Sequence, residues 1–331
     1  MYKFLFLMML LISITLVMSS SNLFFTWMMM EFNMISFIPM IYNKSKYNKF
    51  NIIAMMNYFL IQSFSSMIFL FSILTNLIYM NMELLLIFKS LMILSLMIKL
   101  SFYPFHFWFL KMMIMMNWLK CFMLSFIQKI IPMIILMNLN FMSKLILLFN
   151  LMNSFFSTFM GLNQSSLKLI MSFSSMSNLS WFVLILMSTN FKLFLKFYLI
   201  YIIINLGLMY TFFKFNTNFI NKIFKLKLKY KIFIPLLILS LSGLPPFSGF
   251  LLKWMFASLL NNNYFNLSMF FLFYINSSIT MLYYFKVFMP LMLSNEVLNH
   301  SPQPPMFLPH INLKLIMFYS LNMLIFNNLI F

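Results

Sequence analysis

The 331-residue chain contains no Arg, no Asp, one Cys, two Ala and four Gly, and only three acidic residues: Glu31, Glu83 and Glu296. Each scarcity removes a class of protein. Charged residues make up 8%, against roughly 25% in soluble domains, too few to wet a surface, so a soluble globular fold is excluded. The single Cys121 excludes an internal disulfide and a thiolate metal cluster. Without Asp there is no Ser-His-Asp triad, and the four glycines form no phosphate-cradling loop. Charge of one sign dominates: 22 basic residues, all Lys, against three acids give a formal net charge of +19.

What fills the chain is apolar. Hydrophobic residues reach 63% and mean hydropathy is +0.97, which excludes disorder. Long unbroken apolar runs, rather than polar/apolar alternation, exclude a transmembrane β-barrel. The fold class that remains is an all-α polytopic membrane protein. Phe occurs 47 times and Met 38 times. Phe, Lys, Asn and Ile are spelled with A and T, and animal mitochondrial codes read ATA as Met. The composition therefore implies an AT-rich organellar gene. Gly and Pro that survive such a bias are expected where the backbone needs them.

A hydrocarbon core about 30 Å thick takes about 20 apolar residues per helix. That rule gives eleven expected spans, near 3–20, 22–42, 52–75, 83–103, 118–139, 144–162, 166–188, 194–213, 232–260 (interrupted), 268–290 and 313–330. Residues 4–21 could imitate a signal peptide; no soluble stretch follows, so they are read as a retained first helix. The whole of 1–331 is expected to form one integral membrane domain. Lysines crowd the loops after even-numbered spans: Lys44, Lys46, Lys49, Lys111, Lys168, Lys214, Lys222, Lys225, Lys227, Lys229 and Lys231, with Lys3 on the same side. The other side has Lys144, Lys192 and Lys196. This bias predicts an N-terminus on the negative side, the matrix for a mitochondrial protein. Loop lysines orient the chain and meet lipid; they do not suggest nucleic acid.

A charge at mid-bilayer costs about 2.5–3.5 kcal/mol on insertion scales, so each one is a functional candidate. Glu31 sits mid-span and is too short to snorkel; the alternative role is a structural hydrogen bond to Asn33 or a neighbouring helix. Lys129 lies close to mid-membrane in Gln128-Lys129-Ile-Ile-Pro132. Lys99 precedes Pro104, which is expected to end or kink its helix. Lys89 and Lys120 read as interfacial, snorkelling lysines. Around Gly243, Pro245, Pro246 and Gly249, no continuous α-helix can form, so a broken helix is expected there, with Lys253 just beyond it. His106 neighbours the break in the fourth helix and is a candidate proton relay. His300 and His310 have no carboxylate or thiolate partners for a metal. The serines at 172, 174, 175, 177 and 180 suit close helix packing better than a wet channel.

In this order, the residues resemble the chain 2 family of animal mitochondrial NADH–ubiquinone oxidoreductase (complex I). The resemblance rests on Trp27 to Pro39 (W-x-x-x-E-x-N-M-x-x-F-I-P), Lys99 to Trp108 (K-x-x-x-x-P-F-H-F-W) and Gln128-Lys129-x-x-Pro132. Gly161-Leu-Asn-Gln164, Ile170 through Trp181, and Gly243-Leu-Pro-Pro-x-Ser-Gly-Phe through Lys253-Trp254 extend it over most of the chain. It implies an antiporter-like subunit of a proton-pumping membrane arm, in a form that has lost the first helices of its bacterial relatives. Its line of buried ionisable groups carries over to Glu31, Lys99, Lys129 and Lys253. Departures are Ser101 where the family often has Gly, Leu110-Lys111 where Pro-Glu is usual, and Ile127 where Trp commonly precedes Gln-Lys.

Burial disfavours the charged form of acids and bases alike, so buried Glu and Lys can exchange protons. The expected function is proton translocation coupled to NADH-to-ubiquinone electron transfer, through a Glu/Lys relay linked by water. The resemblance implies no cofactor in this chain: flavin and iron–sulfur clusters belong to other subunits, and ubiquinone is the substrate of the whole complex. Expected partners are other membrane-arm subunits and lipids of the mitochondrial inner membrane. The alternatives are a free-standing cation/proton antiporter, active without NADH, and a structural spacer subunit.

Overall fold

The computed structural model describes residues 2–42, 48–78, 82–139, 144–187, 191–225, 228–245, 247–250, 253–254 and 267–298. The last expected span and the histidines at 300 and 310 lie outside them, as does Pro246. Among the described residues the chain is helical throughout: α1 Tyr2–Ser19, α2 Leu23–Ile41, α3 Asn48–Ile78, α4 Met82–Leu100, α5 Phe107–Met115 and α6 Trp118–Phe122. A π turn, Met123–Ile127, joins α6 to α7 Gln128–Asn138. Then come α8 Lys144–Leu162, α9 Leu167–Met187, α10 Phe191–Lys214, α11 Leu228–Ser242 and α12 Leu267–Leu298, with a 3-10 turn at Ile220–Lys225. Six of these stretches are long and apolar enough to cross a membrane, among them Leu23–Ile41, Trp118–Asn138 and Phe191–Lys214. Large apolar side chains such as Phe64, Met67 and Phe107 face outward, as a lipid-exposed surface requires.

The chain forms two compact units, Met1–Phe156 and Ser157–Phe331. In the first, α2 packs on α1 and α3, α3 packs on α4 and α5, and α7 lies against α1, α2 and α4. In the second, α10 packs on α9 and α11, and α12 lies against α9 and α11. Nearly all of α9 is buried, so it is the core of its unit. Its serines bond to their own helix: Ser172 to Leu169 O, Ser174 to Met171 O and Ser175 to Ser172 O at 2.7–2.9 Å. That arrangement satisfies the hydroxyls locally and leaves a slim surface for close packing.

Several expectations change in detail. The helix carrying Lys99 ends at Leu100, before Pro104, and the loop expected after it holds the extra short helix α5. Ser101 terminates α4: it has φ 60, its N–H bonds to Ile98 O at 3.1 Å, and Phe102 N–H reaches back to Met97 O at 3.0 Å. This pair of bonds is a Schellman cap, which closes a helix through one left-handed residue. The same cap closes α10 at Asn216 (φ 50), through Asn216 N–H to Phe213 O and Thr217 N–H to Phe212 O, both 3.2 Å. Lys231, expected in a loop, lies in the first turn of α11 and is buried.

Candidate functional site

In the first unit the broken end of α4 gathers the charges. Lys99 sits in its last turn, where the negative end of the helix dipole favours a cation. Its ammonium donates to Met30 Sδ at 3.4 Å, and the carboxylate of the next residue, half-buried Glu31, lies within electrostatic range. Lys129, one residue into α7 and 1% exposed, donates to Ser101 Oγ at 3.2 Å. Its nitrogen also stands 3.9 Å from the centre of the Phe109 ring, a cation–π contact from α5. Lys129 therefore reaches Ser101, two residues beyond Lys99 at the end of α4, while the Lys99 ammonium turns to Met30.

The backbone around Lys129 is irregular on both sides. Gln128 N–H bonds to Met123 O, five residues back, which closes the π turn. Pro132, four residues after Gln128, cannot donate to the Gln128 carbonyl. Such irregularity at membrane depth is tolerated only inside protein or beside water, and Leu124, Ser125, Phe126 and Ile131 are buried. The Gln128 side chain is held at both ends: Tyr58 OH donates to its Oε1 at 2.9 Å, and its Nε2 donates to Asn33 Oδ1 at 3.2 Å. This network ties α3, α7 and α2 together beside Lys129.

His106 is buried at the start of α5. Its ring packs among Tyr103, Phe107 and Phe156, with centroids 5.6, 4.2 and 4.4 Å away, and its Nδ1 has no hydrogen-bond partner among the described residues. These contacts are aromatic faces rather than a charged neighbour. Lys120 is half-buried and donates to Ile41 O at the end of α2, so it closes a helix end instead of snorkelling.

In the second unit α11 stops at Ser242 because Gly243 turns left-handed (φ +77), its N–H bonding to Ser240 O at 3.3 Å. Pro245 then prevents the helix from resuming at once. The chain folds back so tightly that a Cβ at Gly249 would stand 1.8 Å from Ser240 O. This brings buried Lys253 to the helix end, where its ammonium donates to Ser242 O at 2.8 Å. Tyr274 OH on α12 holds the Lys253 carbonyl at 2.8 Å. Each unit thus presents a buried lysine to the cap of a broken helix, Lys129 at Ser101 and Lys253 at Ser242. Sequence reasoning found the lysines. It missed Phe109 and the π turn, and it treated Ser101 only as a departure from a motif.

Residues 20–282 match the family described as NADH:quinone oxidoreductase/Mrp antiporter, TM. NADH-ubiquinone oxidoreductase chain 2 of Anopheles gambiae is 36% identical over 256 residues, 76% of this chain and 74% of that one. The protein of the same name from Locusta migratoria is 35% identical over 308 residues, 89% and 87% of the two chains. Among solved structures, respiratory complex I from Thermus thermophilus contains a chain with TM-score 0.82 at 15% identity, covering 97% of this chain and 77% of that one. The Mrp complex from Dietzia sp. contains another with TM-score 0.72 at 14% identity, covering 86% and 59%. At those identities the likeness concerns the fold, which is antiporter-like. With a family match across most of its length and relatives above 30% identity, the chain belongs to the NADH-ubiquinone oxidoreductase chain 2 family.

Proposed function

We propose that this multi-pass protein works in the mitochondrial inner membrane as the chain-2 subunit of NADH:ubiquinone oxidoreductase. There it carries protons through Glu31, Lys99, Lys129 and Lys253. Neighbouring membrane-arm subunits and lipids surround it, and the redox centres reside in other subunits. The observation that carries this reading is that Lys129 bonds to Ser101, two residues from Lys99 at the end of α4, with Glu31 in electrostatic range of Lys99. Two unit charges 10 Å apart interact by about 1.7 kcal/mol at an effective dielectric near 20. A proton gained or lost at one group therefore changes a neighbour's proton affinity by about tenfold without a large rearrangement. Lys253 extends the series at the second broken helix, and His106 serves as packing or as an accessory relay.

The test is Lys99→Met in the assembled enzyme, with NADH oxidation and protons moved per NADH measured in proteoliposomes. The expected result is normal assembly with pumping impaired. Unchanged pumping in the assembled variant removes Lys99 from the path.

A further inference from the structure

Within the second unit, α9, α10 and the broken end of α11 enclose a cavity of about 20 Å³. Its polar lining includes Ser248, Lys253, Asn178, Tyr201 and Ser240, whose hydroxyl bonds to Leu237 O in its own helix. Ser248 is 3% exposed, and its hydroxyl has no hydrogen-bond partner among the described residues. Buried hydroxyls in folded proteins are paired with protein or with ordered water, and one left unpaired is costly. The Lys253 ammonium has three donors, of which one goes to Ser242 O. That carbonyl can accept a hydrogen bond but has no proton to pass on, so exchange at Lys253 needs another neighbour. The cavity has room for about one water, and a buried water needs two to four polar partners.

Resting on the relay reading of Lys253, we propose that this cavity binds one water between Ser248 Oγ and the Lys253 ammonium, making Ser248 a positioning residue for proton exchange at Lys253. The ammonium donates to the water oxygen and the water donates to Ser248 Oγ. When a proton leaves, one N–H bond breaks and one O–H bond forms: lysine becomes the neutral amine and the water becomes hydronium. Ser248, which both donates and accepts, then takes that proton's hydrogen bond. Asn178 Nδ2 bonds to Tyr201 OH at 3.3 Å, which fixes the rest of the polar wall.

The test compares Ser248→Ala and Ser248→Thr with the parent in the assembled complex, by high-resolution electron cryo-microscopy of the cavity and by the rate of NADH-driven proton pumping. Parent and Ser248→Thr are expected to show water density there and to pump alike. Ser248→Ala should lose the density and pump about tenfold more slowly, the loss expected for one hydrogen bond to a charged group. Parental pumping by Ser248→Ala, loss of pumping without rescue by Ser248→Thr, or a parent cavity without water density overturns the proposal. Lys253→Met separates the two readings: if it pumps normally, the relay role of Lys253 fails, while water density in the parent cavity and its loss in Ser248→Ala still decide the hydration site.

Discussion

The Lys253 ammonium lies 2.8 Å from the Ser242 carbonyl, and a methyl group at the neighbouring Gly243 would stand 2.7 Å from the same nitrogen. The lysine fills the space above the helix cap, so its position depends on two backbone features, the left-handed turn and the missing side chain.

Gly243→Ala is accordingly expected to act twice. A left-handed non-glycine residue costs about 1–2 kcal/mol, and the added methyl displaces Lys253. Assembled enzyme should be reduced on native gels, and what assembles should pump poorly. Parental pumping at parental yield would show that Lys253 tolerates displacement.

The other glycines sort by what surrounds them. Gly249→Ala places a methyl 1.8 Å from a backbone oxygen and should prevent stable assembly altogether. Gly207→Ala meets the flexible end of Leu237, 3.0 Å away, and the Phe233 ring at an ordinary 3.9 Å, in mid-helix, where Ala gains about 1 kcal/mol of propensity. Its thermal inactivation should differ little from the parent. Equal inactivation of the two variants would contradict the tight fold-back at Ser240.

At Ser101, φ 60 and the bond to Lys129 pull in opposite directions. Glycine relieves the left-handed strain and loses the hydrogen bond; alanine keeps the strain and loses the bond. Ser101→Ala should therefore be less stable than Ser101→Gly by about 1–2 kcal/mol, read as a lower midpoint of thermal inactivation. The reverse order would mean that the cap does not limit stability.

Phe109→Leu removes the aromatic face 3.9 Å from the Lys129 nitrogen at similar apolar bulk. A desolvated cation–π contact is worth about 2 kcal/mol. Pumping should fall while assembly holds, and Phe109→Tyr should restore it. A drop in assembly of equal size in both variants would assign the ring to packing alone.

Much of this organisation is legible in the residues because membranes impose strict lengths. Apolar runs of span length locate α1, α2, α8, α9 and α10 to within a few positions. The buried lysines Lys99, Lys129 and Lys253 are legible because ionised groups at depth are costly, and the broken helix because Gly243 and Pro245 forbid its continuation. The end of α4 is not. Pro104 suggests the terminator, whereas the helix closes at Ser101, and a left-handed serine has no compositional signature. The π turn is equally silent, since Met123–Ile127 is an ordinary apolar run. Phe109 reaches Lys129 only because α5 returns toward α7, a long-range contact that spacing cannot disclose. The partners of Lys120 and Lys231 are not legible either, because lysine at a span's edge carries the same pattern whether it snorkels or folds inward.

Among the described residues, three lysines end on helix-terminal carbonyls: Lys120 on Ile41, Lys253 on Ser242 and Lys286 on Leu162. The terminal carbonyls of a helix carry roughly half a negative charge. In a chain with 22 lysines and three glutamates, the peptide backbone therefore supplies counter-ions that side chains cannot. Neutralisation by a dipole leaves no acidic proton at the partner. Such a lysine can change its own protonation without a carboxylate having to change with it.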